Sequence, residues 1–378
     1  MNRTEFVNKV FKTLEENHIN LYHDISKEDF NKQKDKFLEI VDKIDQIHFE
    51  GGLLKLFALF KDAHVNYWGI DCNYVDASII LVDKDFYIKK DDKFLRIDKV
   101  NGYKIKDVVE KLKQLIPYET ESWAYHLIST EYIRSPKYMQ MIDCGKNADE
   151  IEYHCENGED VMAKFGNKNG KFNEKIPAYE SLSMCENKVL YIRYSQCRNI
   201  EDYPFTMLIE DIKRELKILP KACLVDVRNN YGGSDVVINP LLQWLKENNI
   251  KTYALMNEGT FSSGTFALAS LKEETKATLL GTEAGQPTRV YGNIQYHMID
   301  GKGFTSCERY FELTSCHDEK IHIKPFYISN AFNYAGVIKP DVKIKINVND
   351  LNNGVDSQLK QSLEIIENEM YKENENVI

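Results

Sequence analysis

Residues 221–233 read KACLVDVRNNYGG. ACLVDV is an apolar run of strand length that stops at Asp226 and Arg228, and two asparagines and the pair Gly232–Gly233 follow. Glycines just past a strand let the chain turn sharply and leave backbone N–H groups uncovered. Such a turn is common punctuation, and it is also the form that an oxyanion-binding loop takes. The flanking text repeats the pattern. KVLYIRY (188–194) precedes a helical rhythm over 203–217, ACLVDV precedes one over 235–247, KTYALM (251–256) precedes one over 262–273, and ATLLG (277–281) comes next. Strands alternating with amphipathic helices predict a layered α/β core with crossover connections.

Upstream the periods differ. Phe6, Val7, Val10, Phe11 and Leu14 predict a helix over 4–17, and Phe30, Phe37, Leu38, Val41 and Ile44 predict another over 27–44. Leu53, Leu54, Leu56, Phe57 and Phe60 extend the helical region to KDAHVNYW (61–68). Residues 74–104 switch to short alternating runs with charged turns and an Asn101–Gly102 hairpin signal. Residues 106–142 read as helical, 150–165 as a hairpin around ENGED, and 166–176 as a surface loop marking a boundary. The expected domains are a helical region (1–70), a small β-rich and helical unit (71–165), an α/β core (177–350) and a C-terminal helix (351–378) carrying Leu359, Leu363, Ile366 and Met370.

The 378 residues suffice for two or three units, and 43% hydrophobic content leaves no long disordered segment. A net charge of −10 argues against nucleic acid or an anionic membrane as partner, since either would repel this surface. The first twenty residues lack a signal-peptide core, and no apolar run approaches ~18 residues. A cytoplasmic protein is the expectation. Eight cysteines without a C-x-x-C pair give neither a zinc cluster nor a disulfide scaffold, so no metal and no cofactor is expected.

Chemistry concentrates in MNEGTFSSGTFALASL, residues 256–271. Ser262 and Ser263, between Gly259 and Gly264, stand where a helix begins. One reading is a helix cap, because a serine hydroxyl accepts an orphan N–H of the first turn. The other is a nucleophile on a tight turn, with those N–H groups facing an oxyanion. His64 lies between Asp62 and the aromatics Tyr67 and Trp68. A lone histidine suits a structural site or a general base, and His317 and His322 stay open as alternatives. Tyr67 and Trp68 suit a pocket wall or plain core.

In chain order, D-x-H at 62–64, D-x-R-x-N-x-G-G at 226–233, N-E-G-T-F-S-S-G at 257–264 and G-V-I-K-P-D at 336–341 resemble the S41 peptidases, the C-terminal-processing and tricorn-core family, over about residues 50–345. The resemblance implies a ClpP/crotonase-like α/β core, a helical N-terminal region and, in the β-rich unit, a reduced PDZ-like module. It places the nucleophile on Ser262, with Ser263 as runner-up. Processing members activate the serine with a lysine about 25 residues downstream. Here that segment reads Gly285-Gln286-Pro287, and a neutral amide cannot take the proton. The tricorn-like branch instead implies His64 as base and Glu308 as the acid that orients it, with Glu283, Asp62 and Glu312 as alternatives. The implied reaction is peptide hydrolysis, the oxyanion held by backbone N–H groups of Gly232 or Gly233 and Ser263. The implied partner is a peptide or unfolded protein. Homo-oligomers are left open, because relatives range from monomers to rings. The competing reading is a catalytically inactive S41-like protein that binds a peptide or ligand.

Overall fold

In the computed structural model, which describes residues 1–145, 147–166, 177–186, 188–318 and 320–375, the chain divides into two units. The first is Met1–Phe172 with Val290–Phe311 and His322–Phe326; the second is Asn173–Arg289 with Glu312–Ile321 and Tyr327–Ile378.

The first unit opens with α1 (Arg3–Asn17), α2 (Lys27–Leu38) and α3 (Gln46–Ala58). Asn2 and Glu5 form a reciprocal capping box on α1, and Ser26 and Asp45 cap the other two. α2 is shorter than its apolar pattern predicts, for the chain leaves the helix at Glu39 and runs through turns to residue 44. The rings of Phe11, Phe30, Phe57 and Phe60 meet at centroid distances of 4.7–6.1 Å and knit the helices together.

An antiparallel sheet follows: β1 (Ile79–Val82), β2 (Asp85–Lys90), β3 (Lys93–Val100), β5 (Glu150–Cys155) and β6 (Asp160–Lys164) in that spatial order, with β4 (Tyr103–Lys104) paired to β3. Asn101 and Gly102 both adopt positive φ, 51° and 84°, as the Asn-Gly signal predicts. The helices α4 (Ile105–Lys113), α5 (Glu121–Thr130) and α6 (Pro136–Met141) lie between β4 and β5 in sequence. From residue 167 to 176, the expected surface loop lies outside the described residues.

The second unit is built on one sheet. β7 (Tyr179–Met184) runs antiparallel to β8 (Val189–Tyr194), and β8, β9 (Ala222–Asp226), β10 (Lys251–Met256), β11 (Thr278–Gly281) and β15 (Val342–Lys343) are parallel neighbours in the order β8-β9-β10-β11-β15. Side chains alternate between its faces. Leu190, Ile192, Cys223, Val225, Ala254 and Met256 join a core with α7 (Phe205–Glu215), α8 (Asn239–Glu247) and α9 (Ser263–Thr275). Val189, Tyr191, Ala222, Leu224, Tyr253 and Leu255 join a second core with Ile366 and Met370. Burial on both faces is why these strands read as unbroken apolar runs rather than alternating ones.

β12 (Arg289–Ile299) and β13 (Lys302–Thr314), whose residues 290–311 belong to the first unit, form a hairpin at Asp300–Gly301, where φ is 51° and 74°. The second unit also holds β14 (Tyr327–Phe332), α10 (Val348–Asn352) and α11 (Ser357–Glu375). No helix among the described residues is long and apolar enough to cross a membrane. The fold is thus a mixed α/β architecture with several sheets.

Candidate active site

Between β10 and α9 the chain turns through Asn257–Ser262. Ser262 occupies the N-cap position with φ 50° and ψ −129°, and its side chain makes no capping hydrogen bond. The cap explanation therefore fails for this serine. The first turn is closed instead by Gly264 N–H on Phe261 O (2.9 Å) and Thr265 N–H on Ser262 O (2.8 Å), with the Thr265 hydroxyl donating to Ser262 O at 2.7 Å. Ser262 N–H donates to Gln286 Oε1 at 2.6 Å. A side-chain-bearing residue at such angles is strained by about 1–3 kcal/mol, and strain of this kind gathers at functional turns. Ser262 as a residue is part-exposed. Ser263 differs: its hydroxyl donates to Gly233 O at 2.9 Å.

The glycine loop leans on this turn. A Cβ on Gly232 would stand 2.7 Å from Ser262 Cβ and from Ser263 N, and 3.1 Å from Ser262 Oγ. A Cβ on Gly233 would stand 2.3 Å from Cys197 O, and both glycines have positive φ, 97° and 137°. Neither position admits a side chain. Gly232 N–H is already donated to Asn230 Oδ1 at 2.9 Å, so Gly232 supplies closeness rather than a donor. Asn230 is fully buried and anchored by Nδ2 on Tyr194 O (2.7 Å). Two further bonds tie this loop to the serine turn, Phe261 N–H to Asn230 O (2.9 Å) and the Thr260 hydroxyl to Val227 O (2.8 Å). Arg228 makes a buried ion pair with Asp226 (2.7 Å) and reaches Asp356 just before α11 (2.7 Å). Both residues of that pair are architectural.

In the first unit, His64 follows α3 in a segment welded to β13. Thr305 donates its hydroxyl to His64 O (2.7 Å) and its N–H to Asn66 O (2.9 Å), while Trp68 N–H bonds Gly303 O (2.7 Å). Asp62, fully buried, accepts His64 N–H at 2.9 Å and His18 Nε2 at 2.9 Å. Because Asn20 N–H donates to His18 Nδ1 (3.0 Å), the proton of that ring sits on Nε2 and points at Asp62. His18, Asp62 and Cys307 do bring a nitrogen, an oxygen and a sulfur within 4.8 Å of one another. With Nε2 protonated, His18 has no lone pair for a metal, and the cluster is a hydrogen-bonded one.

Burial would push the Asp62 carboxyl up, but the hydrogen bond from His18 and the neighbouring imidazoles outweigh it and hold it below its ordinary value. Burial likewise lowers the His64 pKa, opposed by Asp62 and by a ring hydrogen bond to the Tyr291 backbone. Glu119, whose Oε2 accepts Ala63 N–H at 3.2 Å, is pushed well above the usual carboxyl range by burial and then by Asp62.

Glu308 lies on β13. Its carboxylate is taken by the side-chain amides of Asn293 and Gln295 on the neighbouring strand. Glu312, 3% exposed, pairs with His317 Nδ1 at 2.8 Å, whereas Glu283 and His322 are exposed. Tyr67 is core, edge-on to Phe6 at 6.4 Å, while Trp68 is 52% exposed against Tyr296 at 5.2 Å. Sequence reasoning missed Gln286 as a partner of Ser262 and Tyr291 as a partner of His64. Gln286 was read only as the neutral amide in the segment where processing members carry their lysine, and no local pattern marks Tyr291.

No family model matches the sequence, and comparison with curated proteins finds no significant match. Solved structures do resemble it. Mature CPAF superposes with a TM-score of 0.61 at 12% identity over 93% of this chain and 94% of that one. CPAF complexed with lactacystin gives 0.63 at 11% identity over 97% of each chain. A serine-to-alanine mutant of CPAF gives 0.64 at 12% identity over 93% and 94%. At such identities the likeness speaks for the fold. The chain shares the fold of mature CPAF.

Proposed function

We propose that the chain is a serine peptidase in which Ser262 attacks a peptide carbonyl and His64 takes the hydroxyl proton and returns it to the leaving amine. Gly233 and Ser263 supply the backbone N–H groups for the oxyanion, and Gly232 keeps the approach clear of side chains. Glu308, engaged elsewhere, gives way as orienting group to Asp62 and the Tyr291 backbone, the partners that raise the basicity of His64. One observation carries this reading: Ser262 is held in a strained turn at the head of α9 without serving as its cap. The parallel sheet with α7–α9 is read as a ClpP/crotonase-like core, and the strand-turn-helix of β3, β4 and α4 as part of a reduced PDZ-like unit. The substrate is a peptide or unfolded protein, hydrolysed without metal or cofactor.

The test is labelling by a fluorophosphonate probe. Wild type is labelled at Ser262, Ser262→Ala is not, and His64→Ala labels more slowly by about 10²–10⁴-fold. Equal labelling of wild type and Ser262→Ala sinks the assignment.

A further inference from the structure

Gln286 carries the side chain that touches the backbone of the candidate nucleophile. Its Oε1 accepts Ser262 N–H at 2.6 Å and stands 3.1 Å from Thr265 Oγ1. The orientation of the amide is fixed, because a backbone N–H only donates and must face the oxygen. On its other side Ser262 O accepts from Thr265 N–H (2.8 Å) and the Thr265 hydroxyl (2.7 Å). Both backbone polar groups of a residue at φ 50° are thereby gripped, one by Gln286 and one by the first turn of α9. The Gln286 side chain is 0% exposed, and Nε2 has no hydrogen-bond partner among the described residues.

That orphan donor is informative. A buried amide N–H without a partner is a cost to the fold. Glutamate has the same reach and would accept Ser262 N–H more strongly, but it would replace the orphan donor with a buried, unpaired carboxylate oxygen. What separates the two side chains is charge. Attack by the Ser262 hydroxyl builds negative charge on the substrate oxygen beside this turn, and a carboxylate bonded to the same residue would oppose it.

We propose that Gln286 is the positioning residue of the nucleophile: a neutral acceptor that locks the Ser262 turn through its carbonyl oxygen and keeps a negative charge out of the site. The proposal rests on the reading of Ser262 as nucleophile. It assigns Gln286 no proton transfer and no contact with substrate.

The experiment follows the rate of fluorophosphonate labelling of the full chain from acid to alkaline pH for wild type, Gln286→Glu and Gln286→Met, alongside amide hydrogen exchange at Ser262. Gln286→Met, which loses the acceptor, is expected to label about 10²-fold more slowly at every pH, and Ser262 N–H to lose protection while Thr265 N–H keeps its own. Gln286→Glu keeps the acceptor and the protection. Its rate relative to wild type is expected to approach one at acid pH and to fall by about tenfold or more as the carboxyl ionises. Should Gln286→Met fail to fold, the pH dependence of the Gln286→Glu ratio decides alone. Wild-type rates in both variants, equal losses at all pH, or a Ser262 amide still protected in Gln286→Met would each overturn the proposal. An unlabelled wild type overturns the nucleophile reading instead, and exchange at Ser262 then decides the clamp by itself.

Discussion

Ser262 sits at backbone angles that a residue with a Cβ avoids, and its hydroxyl does no capping to justify them. Strain of that size persists only where the surroundings impose it. Gln286 and Thr265 impose it here by holding the N–H and the carbonyl. Glycine adopts positive φ without penalty, so Ser262→Gly is expected to raise the unfolding free energy by about 1 kcal/mol over Ser262→Ala in urea melts. Both variants lose labelling. If glycine proves no more stable than alanine, the turn is not strained in solution. At this scale the sequence was legible in part: the paired serines and the glycines pointed to the site, but which serine was bound as a cap was a matter of dihedral angles.

The elements act by fixing loops that have few local reasons to be rigid. The segment after α3 is held by Thr305 from β13, by Glu119 through Ala63, and by Asp62, which is itself held by His18 from the end of α1. Asp62 therefore shapes the loop and also raises the His64 pKa against the larger lowering effect of burial. Asp62→Asn keeps an acceptor for His64 N–H and removes the charge. Without the carboxylate the imidazolium is less stable, so the His64 pKa drops further and the acid limb of the labelling-rate profile moves to lower pH. A limb that stays put or moves up would show that Asp62 does not act on His64. The turn at Asn101–Gly102 was readable from the sequence, whereas the hairpin of β12 and β13 at Asp300–Gly301 was not read from it. What the sequence did not disclose is that β13 serves as the support for His64, since the partners lie some 240 positions apart.

For the second unit as a body, stability depends on covering both faces of the sheet. Helices α7–α9 cover one face, and Ile366 and Met370 of α11 contribute to the core on the other. The start of α11 is pinned beside the glycine loop by Arg228, which bridges buried Asp226 and Asp356. Arg228→Met would strand the Asp226 carboxylate without its cation, and the expected loss is about 3–5 kcal/mol in urea melts. A loss under about 1 kcal/mol would show the pair to be dispensable. Burial tends to raise the Asp356 pKa, but Arg228 wins and lowers it. Its contribution to stability is therefore present above the unfolded carboxyl value of about 3.9 and is lost as pH falls through the lower folded value. Acid melts of wild type should show this loss, and Arg228→Met should lack it.

The sequence by itself indicated the N-terminal helices and the strand-helix alternation of β8 to β11 with α7 to α9, because apolar periodicity and turn chemistry act over a few residues. It also marked Ser262, His64 and the Gly232–Gly233 pair as residues to examine. Only the tertiary structure decided that Ser262 does not cap its helix, that Gly232 N–H is already spent on Asn230, that Glu308 is taken by Asn293 and Gln295, and that Gln286 grips the serine backbone. Each of those outcomes depends on hydrogen bonds whose partners the fold, and not the local period, brings within reach.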